Sequence, residues 1–165
     1  HRLAALDDVM PLDLDAALGG LTDLAAVSLN APFAMVNLID AARQITICQA
    51  GIAGDPAERP LERSLCRHTV ESGEPLLIVD ARADPAFAHS PALTELGVVA
   101  YLGIPLITSD GLVLGTLCAI DARPRAWTDA DVALLGELAT GAAAELELRL
   151  ALADAEEQRA FARDL

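Results

Sequence analysis

Residues 64–121 read SLCRHTVESGEPLLIVDARADPAFAHSPALTELGVVAYLGIPLITSDGLVLGTLCAID, and this stretch decides the fold. A short helical segment with Cys66 and His68 is followed by a strand, a turn-rich loop and an apolar hairpin. The hairpin is predicted over 98–108 and 112–121, because two apolar runs flank a Ser-Asp-Gly turn. Both of its faces are apolar, so we expect a sheet that is covered on both sides.

Outside the hairpin, hydrophobic periodicity and turn residues predict the remaining elements. Helices are expected over 14–29, about 62–72, one turn at 92–96, and from 129 towards the C-terminus; strands are expected over 33–39, 44–50 and 75–79. The strands at 33–39 and 44–50 flank a polar turn and should form a hairpin. The sequence thus predicts an α+β fold with a central antiparallel sheet of five to six strands. The long terminal helices should cover its drier face, and the short helices and loops should cover a pocket on the other.

Strand alternation predicts which side chains face that pocket. If Ile39 pairs with Gln44, Cys48 shares a face with Thr46; in the second hairpin Leu114 shares a face with Thr116. A register error of one residue would exchange the two faces. The predicted ligand-binding residues are Phe33, Asn37, Thr46, Cys48, Cys66, His68, Asp80, Phe87, Tyr101, Thr116 and Cys118.

Composition limits the possible partners and location. The 165 residues carry a formal charge of −14, and all 11 basic residues are arginine. Such a surface repels phosphate backbones and anionic lipid heads, so we expect neither nucleic acid nor membrane as a partner. The longest apolar run is too short to cross a bilayer, and the N-terminus lacks the features of a secretory signal. A cytoplasmic protein is therefore expected.

The cysteines and histidines do not form a metal or disulfide pattern. Cys48, Cys66 and Cys118 are far apart without a CxxC pair, which argues against a disulfide framework or a structural zinc site. Cys66 stands near a helix N-terminus beside Arg67, a setting that can lower a thiol pKa, although a small buried cysteine is the more common case. The sequence predicts no metal site and names no cofactor.

The chain is expected to be a segment of a longer polypeptide, because it starts without methionine and stops within a helical pattern. We expect an incoming helix or linker over 1–11, a core over 12–128 and a C-terminal helix over 129–165. That helix has two apolar stripes, one containing Leu134, Leu138, Leu148, Leu152 and Ala155, the other Leu135, Ala139, Ala142, Leu146, Leu150 and Ala153. One stripe can cover the sheet, and the other predicts a homodimer through the terminal helices.

Five segments taken together resemble the GAF domains of bacterial signalling proteins, from about Leu12 to Leu138. They are LAAVSLNAPFAMVNLID (24–40), RQITICQAG (43–51), SLCRHTVESGEPLLIVDARADPAFA (64–88), YLGIPLITSDGLVLGTLCAID (101–121) and RPRAWTDADVALLGELA (123–139). The resemblance implies a GAF/PAS-like sensor fold, terminal helices that dimerise, and a small-molecule pocket on the other sheet face. It also implies an output domain of kinase, phosphatase or cyclase type in the same polypeptide.

The chain departs from the chemically specialised branches of that family. It has no lysine, which the cyclic-nucleotide-binding signature contains, and Cys66-Arg67-His68 departs by one residue from the usual bilin attachment pair. The loop over 80–91, where the branch resembling free methionine sulfoxide reductase has its nucleophile, contains His89 but no cysteine. We therefore predict a non-catalytic sensory domain. Two alternatives stay open: a ligand-free dimerisation module, and a thiol redox sensor or enzyme that uses Cys66 with Cys48 or Cys118.

Overall fold

The computed structural model describes residues 12–40, 42–52 and 58–164. The predicted incoming helix or linker at 1–11 lies outside the described residues. The helices are α1 (Leu12–Leu29), α2 (Cys66–Ser72), α3 (Pro91–Leu96) and α4 (Asp129–Asp164), with a 3-10 turn at Leu61–Arg63. The strands are β1 (Phe33–Ile39), β2 (Arg43–Ala50), β3 (Glu58–Pro60), β4 (Leu76–Ile78), β5 (Ala100–Ile107) and β6 (Val113–Asp121).

The strands form one antiparallel sheet in the order β3-β2-β1-β6-β5-β4. The hairpins β1-β2 and β5-β6 lie where alternation and turn chemistry predicted them, and β1 pairs with β6 between them. Ile39 pairs with Gln44, as expected. The predicted α+β class with a central antiparallel sheet of five to six strands is confirmed, and the sheet has six strands.

The two sheet faces carry separate hydrophobic clusters. On one face, α1 and α4 pack with alternate residues of β1, β5 and β6, and Leu102, Leu117, Leu135 and Leu146 are fully buried there. Each such leucine contributes about 1.5–3 kcal/mol relative to an exposed one. The other face packs against α2, α3 and the loop between β4 and α3, with Tyr101 at its centre.

Helix α4 belongs to the core only as far as Leu150. Leu135, Ala139, Ala142, Ala143, Leu146 and Leu150 face the sheet layer and are buried. Leu148 and Leu152, from the other predicted stripe, are about half exposed. With 36 residues the helix is about 54 Å long, so its last turns have nothing in the described chain to bury against.

Local contacts fix the start of α4. The backbone N–H of Asp131 donates to Thr128 Oγ1 at 3.1 Å, and the Thr128 N–H donates to the Asp131 carboxylate at 3.0 Å. This reciprocal pair satisfies two N–H groups at the helix end. Trp127, just before the cap, is buried and donates its indole N–H to the carbonyl of Ile78 at 3.2 Å. This hydrogen bond connects the start of α4 to β4 at the edge of the sheet.

Two sequence expectations about sheet faces were wrong, and in each case a register irregularity is the reason. Val36 pairs with Cys48 while Asn37 pairs with Thr46, so β2 has one extra residue at Ile47. A bulge of this kind moves the following residue to the opposite face. Cys48 therefore packs in the α1 and α4 cluster, away from the predicted pocket. A second irregularity near the end of the β5-β6 hairpin places Leu114 on that same helical side.

Strand β3 was also missed, because the sequence pattern predicts no strand between 44–50 and the helix over about 62–72. Its three residues have no apolar alternation, and they join the sheet edge through backbone pairing with β2, Gln44 opposite Arg59. No helix within the described ranges is both long and apolar enough to cross a bilayer.

Candidate functional site

The candidate site is centred on the Cys66 thiol, which is buried against the sheet face opposite α4. Cys66 opens α2, and its backbone N–H donates to Ser64 Oγ at 3.0 Å. The Ser64 hydroxyl in turn donates to the amide oxygen of Gln44 on β2. These two bonds fix the first turn of α2 over the middle of the sheet.

Hydrogen-bond donors from three strands converge on the Cys66 sulfur. The hydroxyls of Tyr101 and Thr116 each donate to it at 3.2 Å, and Asn37 Nδ2 lies 3.4 Å away. The interaction with Cys118 and the hydrogen bonds from Thr116 and Tyr101 lower the pKa of the Cys66 thiol to about 6, against the opposing effect of burial. The same interaction raises the pKa of Cys118 well above its ordinary value, and burial adds to that rise.

Asn37 connects this cluster to β2 and β6. Its Nδ2 reaches Thr116 Oγ1 at 3.5 Å and Cys118 Sγ at 3.8 Å, while its Oδ1 accepts from Thr46 Oγ1 at 2.8 Å. Asn37 is fully buried, and among the described residues no buried side-chain N or O atom lacks a partner. The cluster is thus a satisfied buried polar network within an otherwise apolar core.

An inner cavity of about 30 Å³ adjoins the network, enough for one water-sized molecule. Its lining includes Cys66, Cys118 and Tyr101, and Gln44 and Arg59 add polar groups. An outer hollow of about 180 Å³ shares three lining residues with it. The shared residues are Leu96, Val98 and Ile120, and Phe33, Gly51 and Ile52 complete the outer hollow. The two spaces together have a polar inner end and an apolar outer end.

Arg59 is the one cationic side chain among the described residues that line the inner cavity. Burial lowers the pKa of its guanidinium, and the Cys66 sulfur acts in the opposite direction. Arg59 lies 3.6 Å from the Glu95 carboxylate on α3, and Arg63 pairs with the same carboxylate at closer range. Glu95 thus connects the short helix α3 to β3 and to the 3-10 turn that follows it.

The structure brings six of the eleven predicted site residues into one cluster: Asn37, Thr46, Cys66, Tyr101, Thr116 and Cys118. Phe33 lies apart from them at the outer hollow. His68 and Phe87 contact each other edge to face, with ring centroids 5.0 Å apart. His68 lines a separate surface hollow, and burial, together with the Arg67 charge, lowers its pKa.

Two predicted residues lie away from any shared site. Asp80 is on the loop after β4, where Arg82 donates to its carboxylate at 2.9 Å and 3.0 Å. Those hydrogen bonds lower the pKa of Asp80, so its charge is already matched on the surface. Cys48 donates to the carbonyl of Leu18 at 3.5 Å on the α1 side of the sheet. It is the β2 bulge that removes Cys48 from the pocket.

Sequence reasoning missed Gln44, Arg59, Ser64 and Leu96 as lining residues. Gln44 lies two residues before Thr46 on the same strand, so alternation places both on one face, and this was the available signal for Gln44. Arg59 reaches the cavity only because β3 pairs with β2, which no periodicity predicts. No group of three or more histidine, cysteine or acidic residues in the described ranges is arranged to hold a metal ion.

The domain has a buried polar cluster and a two-part cavity under its short helices, opposite a layer of long helices. These features define a sensor-type α+β domain. The chain belongs to the GAF domain family, whose model matches residues 13–146. The resemblance of the sequence to this family is thereby confirmed.

Three comparisons place the domain among known proteins. Over 110 residues it is 34% identical to a cyclic di-GMP phosphodiesterase of Pseudomonas aeruginosa, covering 66% of this chain but only 18% of that protein. The GAF domain of a Coxiella burnetii phosphoenolpyruvate-protein phosphotransferase has a TM-score of 0.70 at 23% identity, covering 95% and 94% of the two chains. A free methionine-R-sulfoxide reductase of Thermoplasma acidophilum has a TM-score of 0.68 at 13% identity, covering 81% and 92%. At these identities the two structures establish the fold alone.

Proposed function

We propose that this GAF domain is a non-catalytic sensory module that binds a small molecule in the cavity between the sheet and helices α2 and α3. The observation that carries the proposal is the two-part cavity, with a polar inner end at Cys66 and Arg59 and an apolar outer hollow. Small-molecule sites commonly combine an apolar wall with a few convergent polar groups.

The test uses native mass spectrometry and thermal-shift screening with one matched pair of variants. Leu96 lines both parts of the cavity and is 41% exposed, whereas Leu112 is 45% exposed in the β5-β6 turn and lines neither. Leu96→Trp should fill the outer hollow and abolish binding, and Leu112→Trp should bind as the wild type does. If no small molecule co-purifies or binds, or if Leu96→Trp binds normally, the proposal fails and the ligand-free dimerisation module is favoured.

We further propose that the domain forms a homodimer through its terminal helices and relays its state to an output domain in the same polypeptide. Leu148 and Leu152 on α4 and Leu24 and Val27 on α1 are exposed apolar side chains, 48–80% accessible. Burying them against a second copy would remove apolar surface from water. A monomer in sedimentation at high protein concentration would contradict this part of the proposal.

The similarity to a cyclic di-GMP phosphodiesterase supports an output domain that acts on a nucleotide second messenger. We also propose a cytoplasmic location, since the three cysteines are free thiols, as is usual in a reducing compartment. Cell fractionation that placed the intact protein outside the cytoplasm would remove that assignment.

A thiol redox sensor is the second candidate, because Cys66 and Cys118 line the same cavity and donors converge on Cys66. The oxidant would be a hydroperoxide. The Cys66 thiolate attacks the terminal oxygen of the hydroperoxide, and the O–O bond breaks. That oxygen stays on Cys66 with its hydrogen as a sulfenic acid, and the alkoxide or hydroxide that leaves takes a proton from water. The Cys118 thiol then attacks that sulfur, forming a disulfide and releasing water.

Peptide mapping after peroxide treatment tests this candidate. A Cys66–Cys118 disulfide should form in the wild type and in Cys48→Ser, whose cysteine lies on the other sheet face. It should be absent from Cys66→Ser and Cys118→Ser. Free thiols in the peroxide-treated wild type would remove the candidate.

A further inference from the structure

The inner cavity places a nucleophile and a cation beside the same small space. Cys66 and Arg59 both line it, and the Cys66 sulfur opposes the lowering of the Arg59 pKa by burial, as an anion does. The hydroxyls of Tyr101 and Thr116 each donate to that sulfur at 3.2 Å, which favours its ionised form. The thiolate is the nucleophilic form of cysteine. The cavity thus contains a buried nucleophile whose charge is matched by a guanidinium.

A second sulfur lies at the same cavity. Cys118 is among the lining residues, and Asn37 Nδ2 lies 3.4 Å from Cys66 Sγ and 3.8 Å from Cys118 Sγ. The pKa of Cys118 is raised, so its thiol keeps its proton where Cys66 is ionised. A thiol next to an oxidised cysteine can convert a sulfenic acid to a disulfide. The arrangement suits a reaction that oxidises Cys66 and ends in a disulfide with Cys118.

The size of the inner cavity limits which oxidant can reach the sulfur. Its volume is about 30 Å³, close to the volume that one water molecule occupies in the liquid. Hydrogen peroxide is the smallest hydroperoxide and the one closest to water in size. An alkyl hydroperoxide has in addition a carbon skeleton that this space does not hold. Leu96, Val98 and Ile120 line both the inner cavity and the outer hollow, and they form the boundary between the two.

We infer that the inner cavity makes Cys66 selective for hydrogen peroxide over alkyl hydroperoxides, with Arg59 binding the oxygen that leaves. This inference rests on the thiol redox candidate of the proposed function, because it names the oxidant of the same cysteine.

The Cys66 thiolate attacks one oxygen of hydrogen peroxide, so an S–O bond forms as the O–O bond breaks. That oxygen keeps its hydrogen as a sulfenic acid. The other oxygen leaves as hydroxide, accepts hydrogen bonds from Arg59 and takes a proton from water. The Cys118 thiol then attacks the oxidised sulfur, and water leaves as the disulfide forms.

Arg59 is suited to this role because negative charge moves from the sulfur to the leaving oxygen during the first step. A guanidinium has several N–H donors in a fixed plane, so it can stabilise the charge on either atom. Its ion-pair partner, Glu95, is 3.6 Å away, beyond ordinary hydrogen-bond length, and contacts Arg63 more closely. Arg59 can therefore donate to the leaving oxygen without breaking a short ion pair.

The first experiment compares two oxidants on the domain in a Cys48→Ser background. Hydrogen peroxide or tert-butyl hydroperoxide is added, and the loss of free Cys66 thiol is followed by alkylation and peptide mass spectrometry. 2-Mercaptoethanol gives the ratio of the two rates for an unhindered thiol. The domain should favour hydrogen peroxide about 10- to 100-fold more than 2-mercaptoethanol does, because extra carbon atoms do not fit a filled space. A ratio equal to that of 2-mercaptoethanol, or lower, would overturn the inference.

A matched pair of leucine variants tests the role of size. Leu96→Ala removes a side chain from the boundary with the outer hollow and should accelerate oxidation by tert-butyl hydroperoxide, which lowers the selectivity. Leu112→Ala changes an exposed leucine that lines neither space and should keep the selectivity of the wild type. Because Leu96 is itself 41% exposed, its truncation leaves the core intact. Unchanged selectivity in Leu96→Ala would overturn the inference.

Two arginine variants test the role of Arg59. Arg59→Gln should slow oxidation by hydrogen peroxide about 10- to 100-fold, and Arg63→Gln should slow it by no more than about threefold. Rates are measured up to the pH at which each variant reaches its plateau, since a loss that persists there does not come from a smaller thiolate fraction. A loss that disappears at the plateau, or equal losses in both variants, would overturn the assignment of Arg59. If Arg59→Gln does not fold, Arg59→Lys, which keeps the charge without the planar donors, takes its place in the same measurement.

The inference and the redox candidate can fail separately. If both hydroperoxides form the Cys66–Cys118 disulfide without selectivity, the redox candidate stands and the inference alone is wrong. If neither oxidises Cys66, both are wrong.

Discussion

The substitution Thr116→Val tests whether the network around Cys66 stabilises its thiolate. Valine keeps the shape of the threonine side chain on β6 and removes the hydroxyl that donates to Cys66 Sγ at 3.2 Å. A hydrogen bond to a charged group contributes about 1.5–3 kcal/mol, and about 1.36 kcal/mol corresponds to one pKa unit. The variant should therefore raise the Cys66 pKa by about one to two units.

The starting point is a Cys66 pKa of about 6. At pH 7 about nine-tenths of such a thiol is ionised, and a rise of about one to two units reduces that fraction to between about one-half and one-tenth. The ultraviolet absorbance of the thiolate, followed across a pH titration in a Cys48→Ser background, measures the ionised fraction of Cys66. Cys118 does not obscure the transition, because its pKa is raised and it ionises at higher pH.

Thr46→Val is the matched control for this measurement. Thr46 lies on the same sheet face and belongs to the same network, but its hydroxyl donates to Asn37 Oδ1 at 2.8 Å and not to the sulfur. Its substitution should shift the Cys66 titration by less than Thr116→Val does. A wild-type midpoint near the ordinary cysteine value of about 8.5, or equal shifts in both variants, would refute the reasoning.

Three further substitutions test the packing of the fold and the proposed dimer. Gly115→Ala would place a Cβ 1.9 Å from the carbonyl oxygen of Asn37 and so disturb the β1-β6 pairing. The free energy of unfolding, measured in urea, should fall by about 1–3 kcal/mol or more. Trp127→Phe removes the indole N–H that donates to the buried carbonyl of Ile78. It should lower the free energy of unfolding by about 1–3 kcal/mol in the same assay. Leu148→Glu puts a charge on the exposed stripe of α4 and should weaken dimerisation about tenfold or more in sedimentation.

Two of these substitutions have a control on the same chain. A Cβ added at Gly136 on α4 would meet no heavy atom within 4 Å, so Gly136→Ala should be neutral or slightly stabilising. An equal loss in both glycine variants would contradict the close approach at Gly115. Leu112→Glu changes an exposed leucine outside the terminal helices and should leave dimerisation unchanged. A Trp127→Phe protein as stable as the wild type would show that the hydrogen bond from Trp127 to Ile78 on β4 contributes nothing to stability.

Periodicity and turn chemistry were sufficient to predict the main elements of this fold. β1 was predicted with the bounds it has, and the hairpins were placed correctly, because each strand alternates and each turn contains residues that favour reversal. Alternation alone carries no information about bulges. Because of the extra residue at Ile47, the face predicted for Cys48 was wrong. Thr46, two positions earlier, lies on the face that alternation predicts.

The candidate site was predictable where its residues lie on regular strands. Asn37, Tyr101 and Thr116 were placed by alternation, and Gly103 leaves the space over which the Tyr101 ring lies: a Cβ there would be 2.4 Å from the tyrosine hydroxyl. Arg59 was not predictable in this way. Its position depends on the path of the chain after β2 and on backbone pairing of a three-residue edge strand.

The unequal lengths of the helices explain why the cavity lies on one face of the sheet. On the α1 and α4 face, long helices present continuous rows of leucine and alanine that interdigitate with the strands, as a close-packed core requires. On the other face, α2 has seven residues and α3 has six, and loops complete the layer. Short elements cannot fill the space over the sheet so closely, and the hollows at Cys66 and Phe33 are the space that remains unfilled.

Strand β6 connects these two environments residue by residue. Thr116 and Cys118 face the cavity network, while Leu117 and Ala119 between and beside them are fully buried under the long helices. The Cys118 side chain at the cavity is therefore one residue away from the packing surface of α4. A polar network on one side of the strand fixes its register, because an unsatisfied buried amide at Asn37 would cost about 1–3 kcal/mol. The same strand thus contributes to the polar network beside the cavity on one face and to the stability of the helix layer on the other.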